Sequence, residues 1–144
     1  MKNLTELVFI LDRSGSMSGL ESDTIGGFNS MLDKQKKETG DALVTSVLFD
    51  HDYELLHDRV NIKKVEDMTE KEYFVRGTTA LLDAIGKTIN HIRKSISDTA
   101  EEDRPDKVIF VIITDGMENS SREYSKDKVK GMIEDQKAKY SWEF

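Results

Sequence analysis

Hydroxyl and carboxylate side chains occur together in the segment Asp12-Arg13-Ser14-Gly15-Ser16. The segment follows an apolar run that is typical of a buried strand. A tight turn through Gly15 can bring Ser14 and Ser16 round to face Asp12. Because hard divalent cations are bound by oxygen ligands of this kind, the segment predicts one part of a metal site.

Two later segments offer further oxygen ligands. Gly77-Thr78-Thr79 precedes a strongly periodic helix, and Thr114-Asp115-Gly116 directly follows a second apolar strand. The carboxyl ends of parallel strands meet at one edge of a sheet, so these side chains can converge with those of the first segment. The sequence leaves open which threonine is the ligand. The candidate metal ligands are Asp12, Ser14, Ser16, Thr79 and Asp115.

This ligand set favours Mg²⁺ or Mn²⁺ over Ca²⁺. Mg²⁺ prefers octahedral oxygen coordination and retains waters, whereas Ca²⁺ usually recruits more carboxylates. Each segment also has an ordinary interpretation, because Asp, Ser and Thr form turns and cap helices without any metal. The occurrence of all three segments at ends of predicted elements favours the metal site.

The apolar residues predict strands that alternate with helices. Strands are expected at about 6–11, 42–49 and 108–113, and helices at about 25–40, 81–96 and 125–140. The segment 53–60 follows a short turn and is expected to return antiparallel as an edge strand. Such an alternation predicts an α/β fold with a doubly wound, mostly parallel sheet flanked by helices.

The first helix is expected to pack closely on the sheet. Phe28, Met31 and Leu32 fall on one face at helical spacing. Glycine lowers the stability of a helix interior, so we expect that Gly26 and Gly27 are present because they allow close packing.

The three segments together resemble the metal-ion-dependent adhesion site (MIDAS) of von Willebrand factor type A (vWA) domains. That pattern is Asp-x-Ser-x-Ser, then a distant Thr and a distant Asp. Gly77-Thr78-Thr79-Ala80-Leu81 is similar to the family's Gly-Gly-Thr-Ala-Leu run, with Thr78 in place of the second Gly. The resemblance covers nearly the whole chain and implies a Rossmann-like vWA fold. It also implies that the serines bind the ion directly, while the threonine and the aspartates do so directly or through water.

The resemblance further implies a protein-binding module rather than an enzyme. Its metal would accept an Asp or Glu side chain of a protein partner at an open coordination position. Two alternatives stay open, namely a Mg²⁺-dependent phosphohydrolase-like enzyme and a scaffold domain with a purely structural metal. Haloacid-dehalogenase-like phosphatases carry a second Asp where this chain has Ser14, and Met17 stands where a serine hydrolase would need its nucleophile.

The end of the chain resembles an interrupted vWA domain. Trp142 to Phe144 reads as the opening of a further strand. We therefore expect a single domain over 1–144 that is C-terminally incomplete, lacking the last strands and the closing helix. Its sheet would have an open edge near 108–113, and self-association through that edge is expected.

Composition excludes several other classes of partner. The net charge of −7 over 144 residues argues against nucleic acid, whose binding needs clustered Lys and Arg. The chain has no Cys and hence no disulfide. No apolar run reaches membrane-spanning length, and the opening segment lacks the pattern of a secretory signal. A cytoplasmic protein without a membrane partner is therefore expected.

Overall fold

The computed structural model describes residues 4–38, 40–77, 80–114, 126–140 and 142–144. Within these ranges the chain forms a sheet of four strands and three α-helices. The strands are β1 (Leu4–Asp12), β2 (Asp41–Phe49), β3 (Tyr53–Asn61) and β4 (Lys107–Ile113). The helices are α1 (Glu21–Lys36), α2 (Leu81–Ser97) and α3 (Lys126–Tyr140). Short 3₁₀ turns occur at Gly15–Met17, Ile62–Lys64 and Glu101–Asp103.

The strand order is β3-β2-β1-β4. Strand β1 runs parallel to both of its neighbours, while β3 pairs antiparallel with β2 at the edge. The central position of β1 follows from its sequence, because a strand covered by helices on both faces must be apolar on both faces. The predicted fold class, a mostly parallel sheet with one antiparallel edge strand, is confirmed.

Alternate residues of β1 build two separate cores. Leu7, Phe9 and Leu11 face α1, and the Phe9 ring lies 4.5 Å from that of Phe28, measured between centroids. On the opposite face, the core is formed by residues of β1, α2, β4 and α3 that include Val8, Ile10, Ile85, Ile89, Ile92, Phe110 and Val129. Helices on both faces of the sheet make the fold doubly wound.

Two expectations about α1 are wrong. Met31 is 39% exposed, and the buried residues of the helix are Thr24, Phe28 and Leu32, which form a narrower i, i+4 stripe. A Cβ atom built at Gly26 or Gly27 would meet nothing within 4 Å. These glycines therefore do not serve close packing against other elements of the described structure.

The edge strand β3 is irregular. Its pairing with β2 shifts register on both sides of Ser46, and Arg59 has a φ angle of 53°. The Arg59 guanidinium donates to both carboxylate oxygens of the fully buried Glu6, at 2.8 and 2.9 Å. This bidentate ion pair ties the edge strand to β1 at a position six residues before Asp12.

The last described residues lie against β4. The Glu143 nitrogen donates to the Val108 carbonyl at 2.9 Å, and the Phe110 nitrogen donates to the Glu143 carbonyl at 2.8 Å. The Trp142 ring stacks on Phe110 with centroids 5.3 Å apart. Glu143 thus forms a parallel bridge to β4, as expected for the opening of a further strand. In the described part of the chain, β4 has no other partner on that side.

No helix within the described ranges is both long enough and apolar enough to span a bilayer.

Candidate metal centre

The ends of the parallel strands bring three polar residues to one edge of the sheet. Strand β1 ends at Asp12, β2 is followed by Asp50, and β4 is followed by Thr114. Because these strands run in the same direction, all three residues lie at the carboxyl edge. This is the edge at which ligands bind in open α/β sheets.

Asp12 is fully buried and its carboxylate is held by neutral donors. The Ser14 backbone N–H donates to Oδ1, and the Thr114 hydroxyl donates to Oδ2, each at 2.8 Å. The Tyr73 hydroxyl donates to the Asp12 backbone carbonyl. Among the ion pairs of the described residues, none joins Asp12 to Lys or Arg. A buried carboxylate without a cationic partner is costly, and a bound cation would balance it.

A short 3₁₀ turn lies directly beyond Asp12 and Ser14. Ser14 is fully buried, and the 3₁₀ turn Gly15–Met17 carries the backbone of Ser16. Met17 is only 2% exposed and anchors the turn in the protein interior. The structure therefore brings Asp12 and Ser14 together at the carboxyl end of β1.

The other candidate ligands lie outside the described residues. This holds for Thr78, Thr79 and Asp115, and for the side chain of Ser16. Their role in metal binding stays a prediction, and the choice between the two threonines stays open. Residues on either side of the threonine pair are described, and the Ala80 nitrogen donates to the Asp50 carbonyl at 2.9 Å.

A group of ion pairs beside Asp12 was not predicted from the sequence. Asp50 is fully buried, and its Oδ2 atom accepts a hydrogen bond of 2.8 Å from Arg76 Nε. Arg13 Nε lies 3.7 Å from Asp50 Oδ1, and Arg13 Nη1 donates to Glu54 at 2.6 Å. The available signal is the position of Asp50 directly after β2, close to that of Asp12 at the end of β1. From the sequence alone, Asp50 is only a residue of the short turn before β3.

Two supporting side chains were also missed. In the sequence, Thr114 stands out only as the neighbour of Asp115, and Tyr73 lies in a charged stretch with weak periodicity. Both hold Asp12 through hydroxyl groups that come from distant parts of the chain.

The histidines contact residues other than Asp12 and Ser14. His51 is half exposed beside Asp50 and Asp52, and His91 pairs with Asp58 at 2.8 Å. His57 Nδ1 lies 2.9 Å from the Ser46 hydroxyl, and burial lowers the pKa of this imidazole. Across the described ranges, no three His, Asp or Glu side chains are grouped as metal ligands would be. The candidate metal ligands of this chain differ from such a cluster, because most of them are hydroxyl side chains.

The residues at this edge fit a hard divalent cation. Asp12 presents a buried carboxylate whose two oxygens each accept one hydrogen bond from the described residues, which leaves further lone pairs for coordination. Oxygen ligands from Asp and Ser suit Mg²⁺ or Mn²⁺.

No protein-family model matches the chain, and no curated protein matches it. Solved structures do match. The crystal structure of VWA2, the ArnB paralog from Sulfolobus acidocaldarius, matches 85% of this chain with 23% sequence identity and a TM-score of 0.55. The chain has a vWA fold. Proximal thread matrix protein 1 of the mussel byssus matches 94% of the chain with 15% identity and a TM-score of 0.55.

A third match is more distant. The vWF domain of the pilus tip protein Mfa5 from Porphyromonas gingivalis matches 82% of this chain and 40% of its own length, with 13% identity and a TM-score of 0.48. The vWA fold of this chain spans about a third of the first two proteins, 30% of VWA2 and 34% of the byssus protein.

Proposed function

We propose that this chain is a metal-dependent protein-binding module that captures an acidic side chain of a partner protein. Asp12, Ser14, Ser16, Thr79 and Asp115 would hold Mg²⁺ or Mn²⁺. When bound, the ion would supply an electrophilic centre that accepts a carboxylate oxygen of the partner's Asp or Glu. The observation that carries the proposal is the buried Asp12 carboxylate, which has no cationic partner among the described residues and lies at the carboxyl edge of a vWA-type sheet.

The surroundings of Asp12 support a role in orienting a ligand oxygen. The Thr114 hydroxyl and the Ser14 N–H fix the plane of the carboxylate from two directions. Tyr73 holds the backbone of the same residue. A carboxylate held in this way is preorganised, so little conformational entropy is lost when an ion binds.

We propose that the site breaks no bond. Nucleophilic catalysis by Ser14 would require a base within hydrogen-bond reach, and in the described structure the three histidines contact Asp50, Ser46 and Asp58 instead. We expect no turnover of generic phosphatase or esterase substrates in Mg²⁺. Robust hydrolysis that disappears in Asp12→Asn would contradict the binding role. We also propose that the protein is cytoplasmic.

Metal binding is tested by titrating Mn²⁺ and Mg²⁺ into the protein. We expect binding in the low-millimolar range or tighter, together with a higher melting temperature, because a ligand that binds only the folded state stabilises it by mass action. Asp12→Asn should remove most of that shift. The matched control is Glu6→Gln, which removes a buried carboxylate from the same strand six residues away. An unchanged melting curve for the wild type in saturating Mg²⁺, compared with chelator, would contradict the metal centre.

Capture of a carboxylate is tested with displayed peptides. A random peptide library is selected on the protein in Mg²⁺, and each recovered peptide is then measured in Mg²⁺ and in chelator. We expect every binder to contain an Asp or Glu whose change to Asn or Gln abolishes binding. Peptides that bind equally well without acidic residues, or equally well in chelator, would contradict this part of the proposal.

A further inference from the structure

Asp50 lies where three segments of the chain meet beside the candidate metal centre. It directly follows β2, and it contacts Arg13 in the turn after β1 and Arg76 in the connection that leads to α2. Its carboxylate is fully buried. Buried carboxylates are stable only when they are paired and hydrogen-bonded, so the contacts of Asp50 define what it does.

Both oxygens of the Asp50 carboxylate are engaged. Oδ2 accepts from Arg76 Nε at 2.8 Å, and Oδ1 accepts from the Asp52 backbone N–H at 2.8 Å. Oδ1 also lies 3.7 Å from Arg13 Nε. The carboxylate therefore bridges the two arginines and is already neutralised, in contrast to that of Asp12.

Backbone hydrogen bonds join the same segments. Arg76 N donates to the Arg13 carbonyl at 2.7 Å, and Gly15 N donates to the Gly77 carbonyl at 2.9 Å. Ala80 N donates to the Asp50 carbonyl at 2.9 Å. The turn that carries Ser14 is thus tied to the connection before α2, and Asp50 anchors that connection through both its side chain and its backbone.

Asp50 also balances the charges of Arg13 and Arg76. The Arg13 side chain is 3% exposed, and its Nε atom makes no hydrogen bond to any described residue. Its other anionic contact is Glu54, whose side chain is 49% exposed. Without Asp50, the guanidinium groups of Arg13, the neighbour of Asp12 in the chain, and of Arg76 would have less negative charge to balance them. Both effects, misplacement and repulsion, would weaken metal binding.

We propose that Asp50 is a positioning residue that sets the metal affinity of the centre without touching the metal. It does so by holding the Arg13–Gly15 turn against the Arg76–Ala80 connection and by neutralising Arg13 and Arg76. The inference rests on the proposed function. Loss of a side chain that orients metal ligands typically weakens metal affinity by about 10–100-fold, and we expect a change of that size.

The test compares two variants at this junction with a matched control. Asp50→Asn removes the charge and preserves the shape, while Arg76→Gln removes the partner from a site that is 46% exposed and is therefore the milder change for folding. Glu6→Gln breaks the Glu6–Arg59 ion pair, which likewise joins a buried carboxylate to an arginine but lies at the other end of β1. For each protein, the Mn²⁺ dissociation constant is measured by calorimetry and the free energy of unfolding is measured in chelator with urea.

We expect all three variants to lose stability in chelator, but only Asp50→Asn and Arg76→Gln to bind Mn²⁺ about 10–100-fold more weakly than the wild type. If either junction variant binds Mn²⁺ within two-fold of the wild type, the inference is overturned. It is also overturned if Glu6→Gln loses as much affinity, because the effect would then reflect general destabilisation.

A measurement without metal separates this inference from the proposed function. In chelator, amide hydrogen exchange of Gly15 and Ala80 should be faster in Asp50→Asn than in the wild type, with little change in Glu6→Gln. Wild-type protein that fails to bind Mn²⁺ while showing this exchange pattern would contradict the metal centre and leave the junction confirmed. Unchanged exchange at both amides would contradict the positioning role whatever the metal data show.

Discussion

Two buried carboxylates at the same edge of the sheet have opposite surroundings. Asp12 receives hydrogen bonds from an N–H group and hydroxyl groups, whereas Asp50 faces two guanidinium groups. A carboxylate beside neutral donors keeps its full charge available for a further cation, while one between arginines does not. The contrast gives these residues different proposed roles, Asp12 as a ligand and Asp50 as its support.

At the same scale, Gly77 is required by both its backbone and its surroundings. Its φ angle is 69°, and a Cβ atom there would lie 2.9 Å from Asp50 Oδ2 and still closer to the His51 ring. The left-handed conformation alone costs an L-residue roughly 1–2 kcal/mol, and the collision adds to it. We expect Gly77→Ala to lower the free energy of unfolding by at least about 1 kcal/mol in urea titrations. Unchanged stability would show that the connection before α2 relaxes freely.

His57 gives stability a dependence on pH. Burial lowers the pKa of this imidazole below its ordinary value of 6.5, so the unfolded chain takes up a proton more readily than the folded protein does. Stability is therefore lost as the pH falls through 6.5 towards the folded-state pKa, and it is regained above 6.5. We expect the free energy of unfolding to fall less steeply between about pH 7 and pH 5 in His57→Gln than in the wild type. Equal slopes would contradict this.

At the scale of elements, α1 carries an avoidable cost. Gly26 lies in the helix with open space around it, and glycine in a helix interior is less stable than alanine by about 0.5–1 kcal/mol. We expect Gly26→Ala to raise the free energy of unfolding by about this amount in the same urea titrations. The opposite signs expected for Gly26→Ala and Gly77→Ala provide a built-in control. Destabilisation by Gly26→Ala would show that the site is more crowded than the structure indicates.

The elements themselves could be predicted from the sequence. The apolar runs of β1 and β4 and the periodicity of α2 are strong local signals, and the observed bounds differ from the expected ones by only a few residues. Met31 was misjudged because spacing identifies an apolar face but not its width. The burial of a helix residue depends on whether it contacts the sheet. That contact is set by tertiary packing and not by the local sequence pattern.

The candidate site could be predicted only in part. Asp12 and Ser14 belong to one local motif whose geometry is set by a turn, so their proximity followed from spacing alone. The side chains that hydrogen-bond to Asp12 could not be predicted in this way. Thr114 is 102 residues away and Tyr73 is 61 residues away, and each reaches Asp12 only because of the strand order and one loop conformation. The hydrogen bond between Arg76 and Asp50 could not be predicted for the same reason.

At the scale of the whole molecule, β4 has a nearly unpaired outer edge in the described structure. Glu143 covers it with one bridge, and apolar side chains such as Ile112 lie along the strand. Exposed edges of this kind pair with other chains. We expect light scattering to show a molecular mass that rises with protein concentration. A strictly monomeric protein across the accessible concentration range would contradict self-association through this edge.

The bulged strand β3 limits how far such association can proceed. Its register shifts, the left-handed Arg59 and the charges of Glu54 and Asp58 make the other edge of the sheet a poor template for a further strand. An assembly that pairs only β4 edges joins the same surface of two copies. Such a contact has two-fold symmetry and leaves no free β4 edge for a third copy. Growth should therefore stop at a dimer, and the carboxyl edges of the two sheets would point in opposite directions. Two copies paired in this way could hold two acidic partners on opposite sides, a geometry suited to crosslinking.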